Sequence, residues 1–298
     1  MRGNPRSQSG QIFRRLNRIG ESRHEAKTAA KAAGVIGSHR MAQSVGIFSY
    51  ATMTRYRAVA TEFIAWCRDA HGISDAAKIS AEHVQEWLQI KIAAGVRYKT
   101  YLTYAAALGK ASAGLRAIYG EGYDWASAIN QTREQARIFL DRRVKSRGYT
   151  KPAAVVERLE GVYQIAASLQ LYGGARVREV SRLTERHLLG GGKILLTNTK
   201  GGRRRMMMVP PEVYDRVAEV IEQQGEFRFD YRRYLESLKT SCAEVGEKYQ
   251  GTHGLRWNFA QINVRSAQEL EMGYFNALEL TSNRMGHSRE LVTEHYLR

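Results

Sequence analysis

Between residues 43 and 143 the apolar side chains recur with the period of a helix, and no strand-like alternation interrupts them. Tyr56, Val59, Ala60, Phe63, Trp66 and Cys67 follow the i, i+3, i+4, i+7 spacing of one buried helix face. Gly72 is placed to end that helix. Ser80 is placed to cap a second one, whose stripe is Val84, Trp87 and Leu88. Tyr101, Ala105, Leu108, Leu115 and Tyr119 mark a third stripe, and residues 124–143 a fourth. Four amphipathic helices in about a hundred residues can bury their faces only against one another, which predicts a compact helical bundle.

The rest of the chain has a different grammar. Residues 141–151 (DRRVKSRGYTK) are polar and basic and carry a glycine, as expected of a linker. Beyond it, Val155, Leu159, Val162, Ala166 and Leu169 mark a helix. Lys193–Thr197 and Arg205–Val209 read as two short strands joined by a Gly-Gly turn, and Pro210-Pro211 stops the hairpin. Val213, Val217, Val220 and Ile221 open a further helix, and residues 229–249, 253–266 and 288–296 also read as helical. The fold class is therefore mainly α with a small β-hairpin. Three parts are expected: a basic arm at 1–42, a helical domain at 43–145 and a second domain at 146–298.

The 298 residues carry 46 Lys and Arg against 29 Asp and Glu, a formal charge of +17. Such an excess points to a polyanion, nucleic acid first, with an incidentally basic ribosomal-type protein as the plain alternative. Residues 1–40 contribute nine of the cations and only two acids; with a thin apolar face around Gln11–Ala33, they read as a mobile arm able to lie on phosphates. Cys67 and Cys242 are far apart and have no metal-ligand spacing, the pattern of two reduced thiols. No apolar run is long enough to span a membrane and no secretory signal opens the chain, so a soluble cytoplasmic protein is expected.

Chemistry concentrates in the second part. Arg176, in G-A-R-V-R-E, is placed at a helix start, and a guanidinium there suits phosphate oxygens; Glu179 stands one turn on, where it can orient a cation. Lys200 sits in the hairpin turn T-K-G-G-R, from which an ammonium can protonate a leaving oxygen. Arg203, Arg204 and Arg205 read as a phosphate patch, and Met206–Met208 as packing beneath the hairpin. His253 and Arg256 are three apart on a helix and share a face. His287 follows Gly286, and Tyr296 follows His287 by nine positions. Taken singly, each is an ordinary surface or core residue. Together they are cations and hydrogen-bond donors for a phosphodiester plus one phenol, a group that needs positive neighbours to become a nucleophile. No carboxylate cluster for Mg²⁺ is evident, so no cofactor is expected, and motifs for mononucleotides, dinucleotides, zinc hydrolysis and serine hydrolysis are absent.

The ordered set R-V-R-E, T-K-G-G-R, H-G-L-R, M-G-H-S-R and T-E-H-Y resembles the catalytic domain of the tyrosine recombinases, the phage-integrase family. The match covers residues 152–298. The segment 43–143 is more loosely similar to the family's SAM-like core-binding domain. The resemblance implies a two-domain, C-shaped clamp around double-stranded DNA. Arg176, Lys200, His253, Arg256 and His287 would bind the phosphate and move protons, and Tyr296 would attack. It further implies a 3′-phosphotyrosyl intermediate formed without metal or ATP, a homotetramer on two DNA sites, DNA-bending proteins as accessory partners, and a mobile element as the setting.

The chain departs from the family pattern in three places. It has G-G-A-R where T-G-L-R is common. The interval from Arg256 to His287 is long, which predicts an inserted loop. It also stops two residues past Tyr296, so subunit coupling is expected to come from the helix carrying Tyr296 or from the arm. A type IB topoisomerase and a non-catalytic DNA-binding relative are the alternatives.

Overall fold

The computed structural model describes residues 1–143, 145–197, 199, 204–287 and 289–297. The chain divides into two compact units, Met1–Arg143 and Val144–Arg298.

The first unit consists of α1 (Pro5–Arg14), α2 (Arg23–Ala32), α3 (Ser38–Ser44), α4 (Tyr50–His71), α5 (Ala81–Ala93), α6 (Tyr98–Tyr119) and α7 (Ala126–Phe139). The four stripes seen in the sequence become α4 to α7. Ser49 caps α4 by accepting from the Thr52 amide, and Gly72 closes it in the left-handed conformation at φ +68°. Phe63 from α4 stands 5.4 Å from Trp87 of α5 and 6.0 Å from Trp125, the aromatic centre of the core.

The first helix of the expected arm is packed. α1 packs across α4 and α6 and buries Ile12 and Phe13, at 1% and 0% exposure. The crossing is close: a Cβ on Gly114 of α6 would lie 2.6 Å from Ile12 Cγ2. Gln8, one turn before Ile12 on the same face, donates to Ser74 O (2.7 Å) and accepts from the Ala76 amide (2.8 Å). Two hydrophobic residues in ten, Ile12 and Phe13, give little periodic signal, which is why the sequence reads as a tail. α2, by contrast, buries none of its residues.

The second unit opens with α8 (Pro152–Glu157) and α9 (Gly161–Leu171), read from sequence as one helix but broken at Gly161, whose φ is +51°. There follow β1 (Arg182–Leu183), β2 (Lys193–Leu196), β3 (Arg205–Met208), α10 (Pro211–Gln224), β4 (Phe227–Arg228), α11 (Tyr231–Glu244), α12 (Thr252–Glu269), α13 (Tyr274–Met285) and α14 (Glu290–Glu294). β2 and β3 form the antiparallel hairpin, with Leu196 opposite Arg205 and Lys193 opposite Met208. A second antiparallel pair, β1 with β4, is two residues long and has no sequence signature at that length. The interval from Arg256 to His287 is not an inserted loop. α12 runs on to Glu269 and α13 fills most of the rest, burying Ala277, Leu278, Thr281 and Met285 at helical spacing.

α12 is the axis of this unit. Leu255, Arg256, Trp257, Asn258, Phe259 and Ala260 are consecutive and all buried, so the helix has neighbours on every side. Asn258 ties it to the start of the unit, accepting from the Tyr149 amide at 2.9 Å and donating to Tyr149 O at 2.8 Å. No helix among the described residues is long and apolar enough to cross a membrane.

Candidate active site

Four of the six residues singled out by sequence meet directly: His253 and Arg256 on α12, His287 just after α13 and Tyr296 just after α14. Arg256 is wholly buried. Its guanidinium donates to Gly174 O, to Met285 O (2.6 Å) and to Nε2 of His287 (3.0 Å). Only a neutral imidazole nitrogen can accept that last bond, so the proton of His287 resides on Nδ1 and is donated to Thr293 Oγ1 at 2.7 Å. Thr293 in turn accepts from Ser282 Oγ at 2.7 Å. This hydroxyl chain links the turn that carries His287 to α14 and so to Tyr296.

Tyr296 is 7% exposed. Its ring packs 5.2 Å from Trp257 and 5.5 Å from His287, and its hydroxyl stands 2.9 Å from Nε2 of His253. His253 occupies the first turn of α12, three residues before Arg256, as the sequence spacing requires.

The sequence placed Arg176 at a helix start. It stands instead in a turn closed by the Glu179 amide donating to Arg176 O. Gly174, at φ +62°, brings that turn against α12, where a Cβ would meet the Phe259 ring at 2.5 Å. Glu179 does orient Arg176: Oε1 accepts from Nη1 at 2.6 Å and Oε2 from the Arg176 amide at 2.9 Å. Arg176 and His253 line one cleft of about 530 Å³ together with Gln170, Thr199 and Thr252. Lys200 lies outside the described residues, as does Arg203.

The triplet Arg203–Arg205 is not a uniform surface patch. Arg204 is exposed, but the Arg205 side chain is only 8% exposed and donates to Glu179 Oε2 at 2.7 Å. The signal that would have found it is strand alternation. Arg205 and Met207 point inward, while Met206 and Met208 are 50% and 58% exposed, so the methionines do not all pack beneath the hairpin.

The electrostatics follow from burial beside fixed cations. Burial, then Arg256, pushes His253 down to about 4. The same causes, in the same order, push His287 down to about 3. Burial and the neighbouring Arg176 bring Arg256 itself down to about 10. Burial alone would raise Glu179, but Arg205 and the hydrogen bonds from Arg176 hold it below the usual carboxylate range. The cleft thus has fixed guanidinium charge, two neutral imidazoles and a carboxylate already committed to arginines. It suits an incoming anion better than a cation. Among the described residues no group of three or more His, Cys, Asp or Glu side chains could hold a metal ion.

No family model matches the chain, and no curated protein is similar to it. Solved structures are. A lambda integrase dimer bound to a COC′ core site has a TM-score of 0.60 at 13% identity, over 100% of this chain and 81% of that one. A lambda integrase tetramer bound to a Holliday junction has a TM-score of 0.59 at 12% identity, over 95% of this chain and 79% of that one. The Tn1549 transposon integrase in complex with a circular intermediate DNA has a TM-score of 0.55 at 15% identity, over 99% and 95%. The chain therefore carries the fold of these integrases.

Proposed function

We propose that this protein is a site-specific DNA recombinase that cuts and rejoins duplex DNA through Tyr296. The observation that carries the reading is the 2.9 Å contact between the Tyr296 hydroxyl and Nε2 of His253, set beside Arg256, His287 and Arg176. A phenol hydrogen-bonded to an imidazole held neutral is poised to lose its proton as its oxygen attacks.

In the proposed step the Tyr296 oxygen attacks a phosphodiester phosphorus. A phosphorus–tyrosine bond forms, and the bond from phosphorus to the 5′-oxygen breaks. Arg176 and Arg256 hold the phosphate oxygens whose charge grows in the transition state. His287, fixed by Thr293, accepts from Arg256 and so holds that guanidinium at the phosphate. His253 takes the phenolic proton, and Lys200 supplies one to the leaving 5′-oxygen. The 3′-phosphotyrosyl bond is then reopened by the 5′-hydroxyl of a second duplex, so bond energy is conserved and neither ATP nor metal enters the balance. The integrase fold and the excess of positive charge support duplex DNA as the substrate, a tetramer on two sites as the working form, and a mobile element as the setting.

The test is covalent capture. The purified chain is mixed with host and element DNA in EDTA, stopped with SDS, and the attached ends are sequenced. A discrete set of ends that disappears in Tyr296→Phe is the expected result. Ends without sequence preference would reassign the chain to DNA relaxation, and the absence of any adduct would reduce it to a DNA-binding protein.

A further inference from the structure

Arg205 reaches the site from the hairpin, yet both terminal nitrogens of its guanidinium are committed. Nη1 donates to Arg284 O at 2.6 Å, and Nη2 to Glu179 Oε2 at 2.7 Å and to Gly174 O at 3.3 Å. Those three acceptors belong to three separate segments. Arg284 O is in the last turn of α13, just ahead of Gly286 and His287. Gly174 O also receives Arg256, and Glu179 holds both the amide and the side chain of Arg176. The stem of Arg205 passes directly under the turn carrying His287: a Cβ on Gly286, at φ +66°, would lie 2.6 Å from Arg205 Cδ.

We infer that Arg205 is a positioning residue that sets Arg176 and His287 in register with each other without touching the phosphate. The inference rests on the phosphoryl-transfer reading above. A buried carboxylate shared by two guanidiniums is a rigid relay. Arg205 fixes Glu179, and Glu179 fixes the angle at which Arg176 enters the cleft. On its other side, the bond to Arg284 O holds the end of α13, from which His287 projects. A planar fork with several donors can serve all three acceptors at once, and a single ammonium cannot.

The experiment uses the full chain and orthovanadate as a probe of the phosphate position, with affinity read by titration calorimetry and random-sequence duplex binding read by fluorescence anisotropy. Four variants are compared: Arg205→Ala, Arg205→Lys, Arg204→Ala as the exposed neighbouring charge, and Arg256→Ala. Arg205→Ala is expected to weaken vanadate on the order of tenfold or more, the worth of about one charge-assisted hydrogen bond misplaced. Arg205→Lys, which keeps charge and stem and guards against a misfolded alanine variant, is expected to recover little of that loss. Duplex affinity should move by less than about twofold in both and no more than in Arg204→Ala, since the charge lies inside the fold. Wild-type vanadate affinity in Arg205→Ala overturns the proposal, and so does full rescue by lysine. If Arg256→Ala also binds vanadate as tightly as wild type, the phosphate cleft itself is misassigned and the functional reading falls with it.

Discussion

The Tyr296 hydroxyl and Nε2 of His253 are 2.9 Å apart although 43 residues separate them in the chain. Neither residue is exceptional in its own segment. The first turn of α12 presents the imidazole, and α14 delivers the phenol after the turn at Gly286. Their meeting converts two ordinary side chains into a hydrogen-bonded pair.

Tyr296→Phe tests that pair most directly. The variant should keep its affinity for duplex DNA and form no covalent adduct. Its folding stability should drop by about 1 kcal/mol, the net worth of one hydrogen bond, because the ring still packs on Trp257. Chemical denaturation and SDS-resistant adducts measured on one preparation separate the two effects. A Phe variant that still captures DNA ends would remove Tyr296 from the mechanism.

The histidines predict a pH dependence of stability. Both have an ordinary value of 6.5 and are pushed down to about 4 and about 3 in the folded chain. Between those values and 6.5 the unfolded chain binds more protons than the folded one, so stability rises with pH across that window. The contribution is complete above about pH 6.5 and is lost as pH falls toward 4. Calorimetry from pH 7 to 4.5 should show a falling Tm in wild type and a shallower fall in His287→Gln, which can still accept from Arg256. Equal slopes in the two proteins would mean that His287 is not held neutral.

Arg256→Met should separate charge from packing. The methionine fills similar space but leaves the Met285 carbonyl without its donor, at about 1–3 kcal/mol, and Gly174 O with only the 3.3 Å bond from Arg205. Tm should drop, and the rate of adduct formation should fall about a hundredfold or more. Arg176→Ala, where the side chain is 25% exposed and Glu179 keeps Arg205, should lose a comparable share of rate with a much smaller change in Tm. Similar losses of rate and stability in both variants would argue that the two arginines act only through the fold.

Phe13→Ala asks whether the start of the chain belongs to the first unit. Phe13 is 0% exposed, and truncating a buried phenylalanine costs about 3–5 kcal/mol. A free arm would change by less than about 0.5 kcal/mol. Thermal unfolding of the full chain distinguishes the two.

What was legible in the sequence was whatever repeats. Helices α4 to α7, the hairpin and the i, i+3 pairing of His253 with Arg256 each leave a periodic trace. What was not legible depends on contacts between distant segments. Arg205 looks like one of three equivalent arginines until the strand's inward face is known. Glu179 could be assigned to Arg176 by spacing, but not to Arg205, 26 residues on. α1 carries too few apolar residues to announce itself, and its place against Gly114 is a matter of fit. α13 was hidden by the expectation of a loop, though Ala277, Leu278, Thr281 and Met285 do repeat at helical spacing.

The cleft that joins these residues holds charges that depress one another's proton affinity, and its one buried acid is fully engaged. Glu179 holds Arg176 and Arg205, while Arg256 is held by the backbone carbonyls of Gly174 and Met285, dipoles rather than ions. Arg256 therefore has no carboxylate bonded to it, and on the proposed function a docking polyanion would supply that counter-ion. The free protein should be least robust in dilute chloride, gain Tm in sulfate or phosphate, and gain most on duplex DNA. On the proposed function, the DNA that is cut would also complete the charge balance of the protein that cuts it.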